Sequence, residues 1–199
     1  MRFLLFFFVS LSGFAADFSA PLQRLMDGNS RYMKDQTENL DRNSYRRQEV
    51  AKKQQPFAII VGCSDSRVPP EIVFDQGIGD LFIVRVAGNV VGPLELDSIE
   101  YATEYLGSVL LVVLGHEACG AVSTVFNGEL DDIEDIAQLI LPAIQNIKPR
   151  TVEEAVKANV RSVVNYLNQT TSLKKLIAEG NLEVRGAYYH LRSGQVELL

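Results

Sequence analysis

Three short apolar runs, each bounded by glycine or polar residues, constrain the fold of this chain most strongly. They are FAIIVGC at 57–63, LFIVRVAG at 81–88 and SVLLVVLGH at 108–116. Continuous apolar runs of this length predict strands that are buried on both faces. The segment 92–107 between the second and third runs has apolar residues at helical spacing. Strand, helix and strand in this order predict right-handed crossovers and a mainly parallel sheet.

The two ends of the chain add helices and an edge strand to this pattern. Residues 16–55 carry helix-like spacing, with Pro21 near a helix start, and predict an N-terminal helical arm. Toward the other end, Thr151 and Glu154 form a capping box that predicts the start of a further helix.

The last residues of the chain predict a strand pair. LEVRGAYYHL at 182–191 is followed by a turn and by QVELL at 195–199, which predicts an antiparallel edge strand. We therefore expect residues 56–199 to form a single catalytic α/β domain, with a mainly parallel sheet, an antiparallel edge strand and flanking helices.

Composition fits one globular domain and argues against a nucleic-acid partner. Of the 199 residues, 47% are hydrophobic and 22% are charged, which is an ordinary balance for a domain of this size. The chain carries 19 Lys and Arg against 25 Asp and Glu, a net charge of -6, and it has no basic tract. We expect no nucleic acid among its partners, because binding to a phosphate backbone needs clustered positive charge.

The first residues have the pattern of a secretory signal peptide. Arg2 precedes an apolar run from Phe3 to Leu11, and small residues then allow cleavage after Ala15. The run is too short to span a bilayer comfortably and has no amphipathic spacing, which disfavours a stable membrane anchor or a buried helix. We therefore predict that residues 1–15 are removed and that the mature protein is periplasmic or secreted.

Both cysteines and one of the two histidines lie in GCSDSRVPPE at 62–71 and LGHEACGA at 114–121. Reactive groups in open parallel sheets gather at the carboxyl ends of strands. Cys63 and His116 occupy such ends in the predicted sheet, so we expect the two stretches to meet.

Three residues of these stretches form a candidate metal site. His116 and Cys119 are three positions apart and would share one face if the chain turned helical after Gly115. Together with Cys63 they offer three nitrogen and sulfur ligands. A tetrahedral ion held by three protein ligands keeps one open position, which is typical of catalytic zinc.

Asp65 and Arg67 supply polar groups beside this candidate site. Asp65 lies two residues after Cys63, within reach of a metal or of a water molecule bound to it, and Arg67 can hold the carboxylate in a bidentate fork. A carboxylate held in this way stays ionised and only accepts hydrogen bonds. The alternative is a surface ion pair of little consequence.

Other interpretations of the scarce residues are less favoured. Two cysteines in an exported chain also fit a single disulfide in a binding protein. A thiol-based phosphate loop needs an arginine six positions after the cysteine, whereas Arg67 follows Cys63 by four. His190 lies in a predicted strand with no other ligand type nearby, so we predict a structural role for it.

The segments CSDSRVPPE, VRVAGNVV, SIEYA and LGHEACGAV, in this order, resemble the β-class carbonic anhydrases. The resemblance runs from the helical arm to GAYYHLRSGQV and covers essentially the whole mature chain. It implies reversible hydration of CO2 to bicarbonate by attack of a zinc-bound hydroxide, with one Zn²⁺ per subunit. It also implies a homodimer or a dimer of dimers.

The resemblance implies a role for each residue of the two stretches. Cys63, His116 and Cys119 match the zinc ligands of the family, and Asp65 with Arg67 matches its gating dyad.

A substrate pocket also follows from the resemblance. Its residues are Gln54, Phe82, Ala87 and Tyr101, some of which face the site of the neighbouring subunit; the adjacent Gln55 is an alternative to Gln54. A related non-catalytic zinc module is disfavoured by the intact dyad, and hydrolysis of carbonyl sulfide or carbon disulfide on the same fold stays open.

One position bears on regulation. In a bicarbonate-regulated subgroup of the family, a tryptophan stands three positions before the first cysteine, where this chain has Ile60, and the chain contains no Trp. We therefore expect the unregulated type, in which Asp65 is paired with Arg67 at neutral pH.

Overall fold

A five-stranded sheet forms the centre of the protein, for which a computed structural model describes residues 18–199. The strand order across the sheet is β2-β1-β3-β4-β5. The strands are β1 (Ala58–Gly62), β2 (Leu81–Arg85), β3 (Leu110–His116), β4 (Glu183–Tyr189) and β5 (Val196–Leu198). The first four are mutually parallel and β5 is antiparallel to β4. The expected mainly parallel sheet with an antiparallel edge strand is confirmed.

Helices cover both faces of this sheet. They are α1 (Ser19–Met33), α2 (Ser44–Val50), α3 (Pro70–Val73), α4 (Pro93–Glu104), α5 (Gly120–Asn127), α6 (Glu134–Ile144), α7 (Val152–Gln169) and α8 (Thr171–Ala178). The helix α2 ends five residues before the predicted limit of the arm at residue 55.

The central strands β1 and β3 are buried along their whole length. Ile59 and Val61 of β1 face a cluster that includes residues of α4, α7 and α8. Ala58 and Ile60 face the opposite cluster, to which α1 contributes Leu25. This two-sided burial explains why the sequence of these strands is continuously apolar instead of alternating.

Helix α7 begins as predicted, although only half of the predicted capping box forms. The Thr151 hydroxyl accepts a hydrogen bond from the backbone N–H of Glu154 at 3.2 Å. The Glu154 carboxylate accepts from Arg161 at 3.0 Å, as a cross-turn ion pair on the same helix. An apolar stripe of α7 lies against the sheet, with Val156, Val160, Val163 and Leu167 buried.

No helix within residues 18–199 combines the length and the apolar character that crossing a bilayer requires. The predicted signal peptide, residues 1–15, lies outside the described part of the chain.

Candidate metal centre

Cys63, His116 and Cys119 converge at the carboxyl ends of two neighbouring strands. Cys63 follows β1, and His116 is the last residue of β3, which pairs with β1 in parallel register. All three side chains are buried, and their ligand atoms lie within 4.8 Å of one another. Among residues 18–199 they are the one group of three or more ligand-type side chains close enough together to hold an ion.

The route by which His116 and Cys119 meet differs from the sequence expectation. The two residues do not share a helical face, because β3 continues to His116 and α5 starts only at Gly120. Between them the chain makes a turn in which Ala118 has a positive φ of 50°, and Cys119 is extended. The shared-face prediction is therefore wrong, and the tight turn brings the imidazole and the thiol together instead.

The imidazole of His116 has a defined orientation. Its Nδ1 lies 2.9 Å from the Glu117 carbonyl oxygen, which only accepts, so Nδ1 carries the hydrogen. Glu117 is itself fixed, because its N–H donates to the Tyr189 carbonyl at 2.8 Å and its carboxylate accepts from the N–H of Leu191 at 2.9 Å. The remaining nitrogen, Nε2, is buried and has no hydrogen-bond partner among residues 18–199. A buried lone pair beside two cysteines suits a metal ligand.

The two cysteine sulfurs are 4.0 Å apart, about twice the length of a disulfide bond, and both cysteines are free. A hydrogen bond from the Cys119 thiol lowers the pKa of Cys63 to about 4, although burial opposes ionisation. The same interaction, together with burial, raises the pKa of Cys119. One thiolate thus forms readily, and a cation with two positive charges would favour the second.

Arg67 holds Asp65 in the bidentate geometry that the sequence spacing predicted. Its Nε donates to Oδ1 at 2.9 Å and its Nη2 to Oδ2 at 2.7 Å, and its backbone N–H also donates to Oδ1. The Arg67 guanidinium is the main reason that the pKa of Asp65 falls to about 2. The carboxylate points toward the cluster, with Oδ2 3.8 Å from Nε2 of His116.

Arg85 is a residue near the site whose contacts the sequence did not predict. It ends β2, and its guanidinium donates to the carbonyl oxygens of Cys63 at 2.8 Å and of Asp65 at 2.6 Å. The signal available in the sequence is a cation that interrupts an apolar strand at the edge of the sheet where the other polar residues gather.

The four predicted pocket residues separate into two places within the subunit. Ala87 adjoins Gly88, whose N–H donates to the Cys63 sulfur at 3.3 Å, so it lies at the cluster. Phe82 is the strand partner of Ile59, which lies four residues before Cys63. Phe82 is therefore displaced from Cys63 by about 13 Å along the strand direction.

The other two pocket residues lie with Phe82. The rings of Phe82 and Tyr101 are 6.4 Å apart, and Tyr101 and Gln54 line one cavity of about 460 Å³. The structure therefore brings Gln54, Phe82 and Tyr101 together, but it does not bring them to Cys63 of their own subunit.

His190 does not join the cluster. Its Nε2 lies 3.2 Å from Oε2 of Glu197, and its ring meets the Tyr188 ring edge-on at 4.9 Å. This arrangement agrees with the structural role that was predicted for it.

Comparisons with known proteins agree with one another. A family model described as carbonic anhydrase matches residues 58–196. The chain is 38% identical to a carbonic anhydrase of Mycolicibacterium smegmatis, over 90% of this chain and 92% of the relative. It is 35% identical to carbonic anhydrase 2 of Mycobacterium tuberculosis, over 90% of this chain and 91% of the relative.

Solved structures show the same similarity. One neighbour is a structure from work on two tetrameric β-carbonic anhydrases of Sordaria macrospora, with a TM-score of 0.68 and 26% identity, covering 91% of this chain and 98% of the other. A β-carbonic anhydrase of Aspergillus fumigatus, CafA, gives a TM-score of 0.67 and 27% identity, covering 92% and 90%.

Proposed function

The chain belongs to the β-class carbonic anhydrase family, whose enzymes hydrate CO2, and we propose that it does so at a zinc ion held by Cys63, His116 and Cys119. The observation that carries the proposal is the convergence of these three ligand atoms within 4.8 Å, in a buried position beside an ionised carboxylate. Two thiolates and one imidazole form a donor set that zinc accepts, and three protein ligands leave a fourth position for the reaction.

Zinc bound by these residues would lower the pKa of a water molecule from about 15.7 toward about 7, which makes a nucleophile available near neutral pH. The protein prepares the ligands for this role. Glu117 keeps the hydrogen of His116 on Nδ1 and leaves Nε2 free to bind. Two thiolates donate more charge to the metal than neutral imidazoles do, so the pKa of the water molecule would be lowered less. We therefore expect activity to rise above neutral pH.

Asp65 has the geometry of a hydrogen-bond acceptor for the attacking group. Arg67 donates a hydrogen bond to each oxygen of the Asp65 carboxylate and keeps this carboxylate ionised. Asp65 can therefore accept a further hydrogen bond but cannot donate one. It would orient a nucleophile that still carries a proton, with the lone pair turned toward CO2. We propose that this pairing with Arg67 is the resting arrangement and that the enzyme is of the bicarbonate-unregulated type.

The substrate pocket is proposed to form between subunits. Gln54, Phe82 and Tyr101 lie together and away from their own Cys63, and Tyr101 is 46% exposed. The Sordaria macrospora neighbour comes from work on tetrameric enzymes. In our proposal these three residues line the site of the partner in a homodimer, or in a dimer of dimers, and Ala87 contributes from the same subunit.

Export of the protein to the periplasm or the exterior is also proposed. It rests on the cation, the apolar run and the small residues of positions 1–15 alone.

The test is stopped-flow CO2 hydration with a pH indicator, on reduced, zinc-loaded protein that begins at Ala16, at about pH 8.5. We expect fast turnover that is lost on chelation and restored by zinc. Bound zinc without turnover would contradict the proposal and favour carbonyl sulfide or carbon disulfide as substrate, or a non-catalytic zinc module. Failure to bind zinc would favour the disulfide interpretation.

A further inference from the structure

Asn159 is a fully buried polar residue on the apolar face of α7. Its neighbours along the buried stripe are Val156, Val160 and Val163, and its own exposed fraction is 0%. Burying an amide costs free energy unless its polar atoms find partners, so a residue of this kind in a core needs a reason. Its contacts provide one.

The side-chain amide of Asn159 donates a hydrogen bond to the loop that follows β2. Its Nδ2 donates to the carbonyl oxygen of Gly88 at 2.8 Å, across 71 residues of sequence. Gly88 lies in the 3-10 turn Ala87–Asn89 and has a positive φ of 74°, which glycine adopts without strain. A Cβ at this position would lie 3.0 Å from Cδ1 of Ile140 on α6. The turn is therefore packed between α6 and α7.

The other polar group of Gly88 points at the candidate metal centre. Its N–H donates to the sulfur of Cys63 at 3.3 Å. The N–H and the carbonyl flank the same Cα, so a restraint on the carbonyl limits the rotation that would turn the N–H away from sulfur. A hydrogen-bond path thus runs from Asn159 through Gly88 to Cys63.

Asn159 makes this contact without satisfying its whole side chain. Its Oδ1 is buried and has no hydrogen-bond partner among residues 18–199. An apolar residue of similar volume would remove this unpaired acceptor but would leave the buried Gly88 carbonyl without its donor. The role of the amide in this core is therefore its hold on Gly88.

We propose that Asn159 is a positioning residue of the metal centre, which fixes Gly88 so that its N–H donates to the Cys63 thiolate. The inference deepens the proposed function and rests on it, because the thiolate acts as a ligand only if metal is bound. A hydrogen bond to a ligand sulfur withdraws charge from it, and such outer partners tune both the metal and the reactivity of what it binds.

The central variant is Asn159→Leu, which keeps the branched heavy-atom shape and removes the donor. The readouts are the thiolate-to-metal charge-transfer band of the cobalt-loaded protein and, with NMR-active cadmium, the scalar coupling of the metal to the Gly88 amide proton through sulfur. We expect the band to move to longer wavelength, the coupling to disappear and kcat/KM of the zinc form to fall roughly tenfold, at unchanged metal stoichiometry.

The matched control is Val163→Ala, which removes core packing one turn further along the same helix without touching Gly88. We expect it to lower the Tm but to leave the band and the coupling in place. An unchanged band and coupling in Asn159→Leu would overturn the inference. If Asn159→Leu does not fold, the wild-type spectrum decides, because the absence of cadmium coupling to the Gly88 amide would also overturn it.

These outcomes differ from failure of the proposed function. The proposed function would be contradicted if the wild-type protein bound cobalt through its thiolates but did not hydrate CO2. The two spectroscopic readouts would still decide the role of Asn159.

Discussion

The Asp65 carboxylate is held at both oxygens by Arg67, and its Oδ2 lies 3.8 Å from Nε2 of His116. We expect Asp65→Asn to lower kcat/KM for CO2 hydration about 10²-fold, because the amide keeps the shape but loses the negative charge that accepts a hydrogen bond from the nucleophile. Stopped-flow assays and metal analysis on the same samples test this. A variant that lost zinc together with activity would show that Asp65 acts on metal binding instead.

The same pair predicts a dependence of stability on pH. The pKa of Asp65 is lowered to about 2, mainly by the Arg67 hydrogen bonds, against about 3.9 in an unfolded chain. The contribution to stability is therefore present above about pH 4 and is lost as the pH falls toward 2. We expect the difference in free energy of unfolding between wild type and Arg67→Leu, measured by urea denaturation of metal-free protein, to narrow below about pH 4. A constant difference between pH 6 and pH 3 would contradict this linkage.

A pocket shared between subunits predicts complementation. In a mixed dimer of Asp65→Asn and Tyr101→Ala subunits, one site carries both defects and the other carries neither. Random reassociation of equal amounts would return roughly one quarter of wild-type activity per site. Each variant refolded alone is the control, and activity no greater than the average of the two variants would place Tyr101 outside the partner's site.

Removal of the metal should expose the two thiols to oxidation. The sulfurs of Cys63 and Cys119 are 4.0 Å apart, so a small movement would allow a disulfide. We expect mild oxidant to consume both thiols of chelated protein without joining subunits, and zinc to protect them. Thiol titration and non-reducing mass analysis measure this. Equal rates of thiol loss with and without zinc would argue against Cys63 and Cys119 as its ligands.

Gly115, next to His116, packs so closely against helix α7 that a side chain would not fit. A Cβ at this position would lie 2.6 Å from Cγ2 of Val160 and 2.8 Å from Cγ1 of Val156. We expect Gly115→Ala to lower the free energy of unfolding by about 1 to 3 kcal/mol, because both valines are buried and stiff. Gly120→Ala is the control, since nothing lies within 4 Å of its added Cβ. Equal stability of the two variants would contradict the packing argument.

Much of the sheet could be predicted because burial on both faces leaves a direct mark on the sequence. The strands β1 and β3 appear as uninterrupted apolar runs, and Cys63 and His116 stand at their ends. The dyad was also predictable, since two residues of spacing suffice for the guanidinium of Arg67 to reach Asp65.

Contacts between distant residues and unusual backbone geometry were not predictable in this way. The turn through Ala118 uses a positive φ that alanine rarely adopts, so the residues favoured a helix that does not form there. Arg85 reaches back 22 residues to Cys63, and Asn159 reaches 71 residues to Gly88. The four-residue helix α3 is too short to show any periodicity.

The adjacency of β1 and β3 has a consequence for the lifetime of the folded state. Cys63 and Cys119 are 56 residues apart in sequence, so a metal held by both closes a large loop that exists only after the central strands have paired. An interaction that forms late in folding changes the folding rate little and acts mainly on the unfolding rate. Bound metal would therefore lower the unfolding rate. The folded protein would then survive longer against proteases, because the central strands would separate more rarely.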